Sequence, residues 1–119
     1  MNIKLFDSEL KVMEVLWREG ELPASQIVKI LKDETGWNRN TTYTVIKKCI
    51  EKGAIIRIEP NYVCRALVSK EYIQQEESTE FINRMFAGSI GNFFAAFVKG
   101  NKLSTSEIER LKQMVEEMK

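Results

Sequence analysis

Apolar residues recur at helical spacing in three successive segments near the start of the chain, and the period then shortens to that of strands. Leu10, Met13, Leu16 and Trp17 fall on one stripe of a segment that Asp7 can cap and Gly20 can end, which predicts a first helix through about Glu19. Leu22 and Pro23 lead into a second helix over about 24–32, with Pro23 suited to its first turn and Ile27, Val28, Ile30 and Leu31 on its buried side. Gly36 breaks the chain before a third. There Asn38 can accept from free backbone N–H groups at the helix start, and Gly53 can end the helix in a left-handed conformation. Trp37, Val45, Ile46, Cys49 and Ile50 supply its apolar face.

Beyond Gly53 the residues turn β-branched. Residues 54–59 and 62–68 read as two strands around a Pro60-Asn61 turn, and Ile56, Ile58 and Val63 or their neighbours are expected to pack the hairpin on the helices. Two amphipathic helices, a short connection and a third helix with a polar outward face make a helix-turn-helix order, and the hairpin behind it makes a wing. From about Ser69 the composition returns to helix formers. One helix is expected over about 70–86, then breaks at Gly88 and Gly91, a short aromatic helix over 92–98, and after Gly100 a final helix announced by the capping pattern Ser104-Thr105-Ser106-Glu107. The fold class is therefore mostly α with a small β wing. The expected organisation is a winged helix-turn-helix domain over 1–69 and a helical dimerisation region over 70–119.

The C-terminal helices carry Phe81, Ile82, Met85, Phe86, Ile90, Phe93, Phe94 and Phe97, and the last one a stripe of Ile108, Leu111, Met114 and Val115. That is more apolar surface than short helices can leave wet, so these residues are expected to bury against a second copy of the chain; a monomeric helical cap over the wing is the competing arrangement. The methionines there read as packing filler.

Length and composition narrow the class. A chain of 119 residues with 44% hydrophobic content suits one domain, or a small domain with an oligomerisation appendage. Nothing approaches the roughly 18 to 20 consecutive apolar residues of a membrane span, and the segment Met1-Asn2-Ile3-Lys4-Leu5-Phe6-Asp7 has no leader-like apolar run, so a cytoplasmic protein with no membrane partner is expected. Cys49 and Cys64 are the only cysteines and form neither a disulfide framework nor a metal-binding spacing. There is no histidine, no glycine-rich phosphate loop and no nucleophile with a base partner, which leaves no expected metal, cofactor or catalytic residue.

Net charge is only +1, but its distribution is uneven. Residues 36–65 carry six cations against two carboxylates, a balance of +4, while residues 1–35 come to 5 − 7 = −2 and residues 66–119 to 7 − 8 = −1. The excess sits on the third helix and the wing, as a DNA-binding surface requires. Short polar groups at a helix N-terminus suit a helix end pressed into the major groove. Asn40, Thr41, Tyr43 and Thr44 are therefore the candidate reading residues, Arg39 a further candidate DNA contact, Lys47 and Lys48 the candidate phosphate contacts, and Tyr62 and Arg65 candidate contacts from the wing limbs. Asn61 reads as a turn former, and Trp17 and Trp37 as core anchors. Two other readings remain open: a winged helix whose third helix binds a protein, and a redox-responsive regulator acting through Cys49 and Cys64.

Three stretches together resemble a known family. Glu9-Leu10-Lys11-Val12-Met13-Glu14-Val15-Leu16-Trp17 in the first helix, the frame Trp37-Asn38-(x2)-Thr41-(x2)-Thr44-Val45-Ile46-(x2)-Cys49-(x2)-Lys52-Gly53 around the third, and Leu103-Ser104-(x2)-Glu107-Ile108-Glu109-(x)-Leu111 near the end resemble the penicillinase and methicillin-resistance repressors, the BlaI/MecI family of winged-helix regulators. The resemblance covers nearly the whole chain. It implies a homodimer held by C-terminal helices on palindromic double-stranded operator DNA, with Asn40, Thr41, Tyr43 and Thr44 reading bases and Lys47 or Lys48 toward the backbone. It also implies release by a sensor protease. The antibiotic-responsive members are cut at an Asn-Phe pair, whereas the matching place here is Ala96-Phe97, so the resemblance does not carry that switch over. The cysteine cluster of copper-responsive relatives is absent after Cys64.

Overall fold

The computed structural model describes residues 3–119; Met1 and Asn2, part of the start read for a leader, lie outside it. In chain order the elements are α1 (Asp7–Glu19), β1 (Leu22–Pro23), α2 (Ala24–Thr35), α3 (Arg39–Glu51), β2 (Ile55–Ile58), β3 (Val63–Ala66), α4 (Lys70–Phe86), α5 (Ile90–Gly100) and α6 (Thr105–Glu117). Two compact units divide at Glu77 and Ser78, inside α4, and each is described separately below.

The first unit packs α1, α2 and α3 against a three-stranded antiparallel sheet of order β1-β3-β2. The hairpin register pairs Ile55 with Ala66 and Ile58 with Val63. Pro23 stands at the N-cap of α2 and at the same time pairs with Val63 in β1, and α2 runs to Thr35, longer than the apolar stripe implies. Proline suits this edge because its missing N–H costs the ladder nothing there. The core joins Val12, Met13, Leu16, Ile27, Leu31, Ile46 and Cys49 from the helices to Ile55 and Cys64 from the sheet. The hairpin packs on the helices through the neighbours of the named residues: Ala54, Ile55 and Cys64 are fully buried, Ile58 and Val63 half-buried, and Ile56 exposed. Strand alternation explains which neighbours: Ile55 and Cys64 lie on one face of the pleat and Ile56 on the other, and a one-residue offset would invert every side chain.

Asp7 lies inside α1 and does not cap it. Phe6 occupies the cap position, and its backbone N–H donates to Glu9 Oε1 at 2.7 Å. Trp17 anchors the start of α4 to α1 by donating Nε1–H to the Val68 carbonyl at 2.9 Å.

In the second unit, Gly88 at φ +84 ends α4, its N–H donating back to the Ile82 carbonyl at 3.1 Å. Gly91 is not a second break but sits in the first turn of α5, which Ser89 caps by accepting from Asn92 N–H. Ser104 caps α6 in the same way through Glu107 N–H at 3.1 Å. Neither α5 nor α6 has a fully buried residue.

Candidate nucleic-acid interface

The start of α3 is built by its cap. Asn38 Oδ1 accepts from the Thr41 N–H at 2.8 Å, leaving the remaining N–H groups of the first turn at the surface. At roughly 100° per residue, the helix then divides cleanly. Thr42, Val45, Ile46 and Cys49 face the core, and Asn40, Thr44 and Lys47 run along the opposite line, with Thr41 and Lys48 on one flank and Arg39 and Tyr43 on the other. All are exposed except Tyr43, which is half-buried. Thr42 has no counterpart in the sequence reading. Its hydroxyl donates to the Asn38 carbonyl, 3.4 Å away, which lets a polar group be fully buried in the helix.

The wing meets this helix through aromatic rings. Tyr62, at the end of the hairpin turn, sets its ring 5.6 Å from that of Tyr43 in an edge-on arrangement. The Arg57 guanidinium lies 3.6 Å from the Tyr62 ring centre, and that of Arg39 5.0 Å from the Tyr43 ring centre. The Tyr62 carbonyl also accepts from the first N–H of α2, at Ala24, at 2.9 Å. Neither link was legible as spacing, since it depends on the path of the turn between Pro60 and Tyr62.

Electrostatics sort the six cations of this region into two groups. Lys52 Nζ donates to Glu9 Oε1 at 2.6 Å and to the Lys4 carbonyl at 2.7 Å, and lies 4.0 Å from the Phe6 ring centre. Arg57 Nε donates to Glu59 Oε1 at 2.7 Å, and Arg65 Nε lies 3.6 Å from Glu21 Oε1. Arg39, Lys47 and Lys48 form no ion pair among the described residues. The local charge excess is therefore concentrated on α3. Glu9 could have been recognised from its place on the same stripe as Met13 and Leu16; its carboxylate is fully buried.

Burial dominates both thiols. It pushes Cys49 up to about 12, with the nearby Glu9 carboxylate adding to the effect, and Cys64 up to about 11. A redox role needs a thiolate that reagents can reach, and these two are sealed and protonated. Burial also raises the Tyr62 phenol. Among the described residues no group of three or more potential ligands could hold a metal, and no helix is long and apolar enough to cross a membrane.

The expected dimerisation residues all lie in the second unit, except that α4 straddles the division. Ile82, Phe86, Phe93 and Leu111 are half-buried, whereas Phe81, Met85, Ile90, Phe94, Phe97, Ile108, Met114 and Val115 are exposed. Phe81, Phe86, Phe93 and Phe97 form a ring cluster with centroids 5.6 to 6.1 Å apart. Beside it an open apolar groove of about 700 Å³ runs between α5 and α6, lined by Ile90, Phe93, Phe94, Leu103, Ile108, Leu111 and Val115.

Comparison with known proteins decides the family: the sequence profile of the penicillinase repressors matches residues 5–117. The chain belongs to the penicillinase repressor family. Within the family it is similar to the penicillinase repressor of Bacillus licheniformis, with 27% identity over 118 residues, 98% of this chain and 92% of the relative. It is also similar to the methicillin resistance regulatory protein MecI of Mammaliicoccus sciuri and of Staphylococcus aureus, at 27% identity over 114 residues, 94% of this chain and 93% of each relative. Two solved structures share the fold of the first unit. The DNA-binding domain of the repressor BlaI superposes with a TM-score of 0.52 at 24% identity, covering 57% of this chain and 85% of that one. The Bacillus licheniformis BlaI monomeric form, solved in complex with the blaP half-operator, gives a TM-score of 0.53 at 25% identity and covers 59% and 89%.

Proposed function

We propose that this chain is a sequence-specific DNA-binding transcriptional repressor that occupies a palindromic operator as a homodimer. The observation that carries the reading is the outer face of α3, where Arg39, Lys47 and Lys48 have no carboxylate partner among the described residues and Asn40, Thr41 and Thr44 present hydrogen-bonding groups beside a helix N-terminus. A BlaI structure of the same fold is a complex with half-operator DNA, which supports placing this helix in a major groove.

In that pose the first turns of α3 meet base edges. Asn40 offers an amide for bidentate contact, Thr41 and Thr44 offer hydroxyl and methyl groups, and Tyr43 offers its ring edge. Lys47 and Lys48, one to two turns further on, reach phosphates, while the wing, with Tyr62 and Arg65 on its limbs, flanks the reading helix without setting a further cation on a phosphate. The free N–H groups of the first turn favour an adjacent phosphate. Residues 1–69 then serve as the winged-helix reading domain and residues 70–119 as the dimerisation region.

A second copy of the chain covers the apolar groove of α5 and α6, whose exposed face includes Ile90, Phe94 and Val115. Dimerisation fixes the separation of two α3 helices and so selects a two-fold symmetric site. Repression follows from occupying promoter DNA that polymerase needs. Such a protein works in the cytoplasm and requires no cofactor or catalytic group. Selection of bound duplexes from a random pool, with the bound species sized, tests the reading. A palindromic motif held by a dimer is expected, and salt-insensitive retention without a motif would remove it.

A further inference from the structure

The turn of the wing meets the outer side of α3 through an aromatic pair, Tyr62 and Tyr43, and that pair is flanked by cations on both sides. The chain of contacts runs from Arg57 to the Tyr62 ring at 3.6 Å, from Tyr62 to Tyr43 at 5.6 Å, and from Tyr43 to Arg39 at 5.0 Å. Its last two members stand on the flank of α3 that Asn40 and Thr44 adjoin, so the ladder ends on the reading face. Tyr62 is fixed independently of its ring. Its carbonyl accepts the Ala24 N–H that opens α2, and its backbone holds φ +49, a left-handed conformation that a residue with a side chain keeps only where its surroundings determine it.

Resting on the DNA-binding reading above, we propose that Tyr62 is a positioning residue for that interface, holding Tyr43, and through it Arg39, at the angle from which α3 reads DNA. Its backbone is pinned to the first residue of α2, and its ring meets the reading helix. The hairpin thus sets one wall of the site from both sides. The ring face of Tyr62 is already taken by Arg57, and its edge-on neighbour is Tyr43, so the group Tyr62 contributes is its ring and not its hydroxyl. Arg57 is likewise committed, clamped between that ring and Glu59. Arg39 is the cation of the ladder without a carboxylate partner among the described residues. Its orientation is consequently governed by the ring beneath it.

The test compares Tyr62→Phe, Tyr62→Ala, Arg39→Ala and the double variant Tyr62→Ala/Arg39→Ala in the full chain. The first readout is made without DNA, as amide chemical shifts of residues 39–44. Tyr62→Ala is expected to displace them and Tyr62→Phe to leave them close to wild type. The second readout is affinity for the duplex selected by the wild-type protein and for single-base variants of it. Tyr62→Ala should reduce affinity by about 3- to 10-fold, the scale of one aromatic contact, and lower discrimination between the selected and variant duplexes. Tyr62→Phe should rescue both. Once Tyr62 is alanine, Arg39→Ala should cost less than it does in the wild type. Thermal melting of each variant separates these effects from unfolding. Equal losses in Tyr62→Phe and Tyr62→Ala would assign the effect to a hydroxyl contact and overturn the proposal. Strict additivity with Arg39→Ala would overturn it too, as would unmoved amide shifts in a folded Tyr62→Ala. Displaced shifts in a protein that selects no duplex would instead overturn the DNA-binding reading.

Discussion

Which cations touch DNA can be settled by counting released counterions. Three cations of the charged segment, Arg39, Lys47 and Lys48, have no carboxylate partner among the described residues, whereas Lys52, Arg57 and Arg65 face Glu9, Glu59 and Glu21. A dimer that sets the first three on phosphates neutralises six charges, so log K should fall with log salt at a slope of about −5. Lys48→Ala removes two of the six and should flatten the slope to about −4, weakening all sequences alike. Arg65→Ala, which releases a cation already paired with Glu21, should leave the slope within about half a unit of wild type. The measurement is anisotropy of a labelled duplex over about 50 to 300 mM potassium chloride, at protein concentrations where the dimer is fully formed. An unchanged slope in Lys48→Ala would refute the reasoning. So would a larger change in Arg65→Ala, because the ion pairing of the free protein would then not decide which charges meet the backbone.

Three further expectations follow from the packing. Lys52→Ala leaves the buried Glu9 carboxylate with the Phe6 N–H and without the cation it faces, and should cost about 2 kcal/mol in urea unfolding, less than a fully buried pair because the Lys52 side chain is 29% exposed; Lys52→Ala/Glu9→Gln should recover part of it. A thiol reagent at pH about 8 should label Cys49 and Cys64 only as fast as the protein unfolds, since both remain protonated there. Because both folded values lie above the ordinary thiol value of 9.0, stability from these groups is full below pH 9.0 and should decline as pH rises toward about 12; rapid native labelling or a flat alkaline limb would contradict the burial. Val115→Glu places a charge on the exposed apolar stripe of α6 and should weaken self-association by about a hundredfold or more, read by sedimentation; an unaffected dimer would move the interface elsewhere.

The burial of Glu9 illustrates how local pattern and tertiary context divide the work. An acid on an apolar stripe looks like a fault in the helix, and becomes an anchor only when Lys52 arrives from the end of α3, 43 residues away, and Phe6 turns its N–H inward. The pair fixes the N-terminal segment against the far end of the reading helix. It also withdraws from the surface a lysine that charge counting had included in the excess. Arg57 and Arg65 stay exposed, but each faces a carboxylate, on the wing and before β1 respectively.

By itself the sequence determined what depends on neighbours within a few residues. The apolar period of α1, α2 and α3, the Asn38 and Ser104 caps and the helix end at Gly53 are local, because helix formation and capping use groups within one or two turns. The polar outer face of α3 was equally legible, since a helix that shows its core side shows its opposite side. Tertiary structure decided what depends on the path of the chain. It made Leu22 and Pro23 a third strand, chose Ile55 and Cys64 over Ile56 for the inner face of the hairpin, and brought Tyr62 to Tyr43 across the hairpin turn. Strand register and turn geometry carry no periodic signature of their own, because a shift of one residue leaves the pattern of types almost unchanged while turning every side chain to the other face.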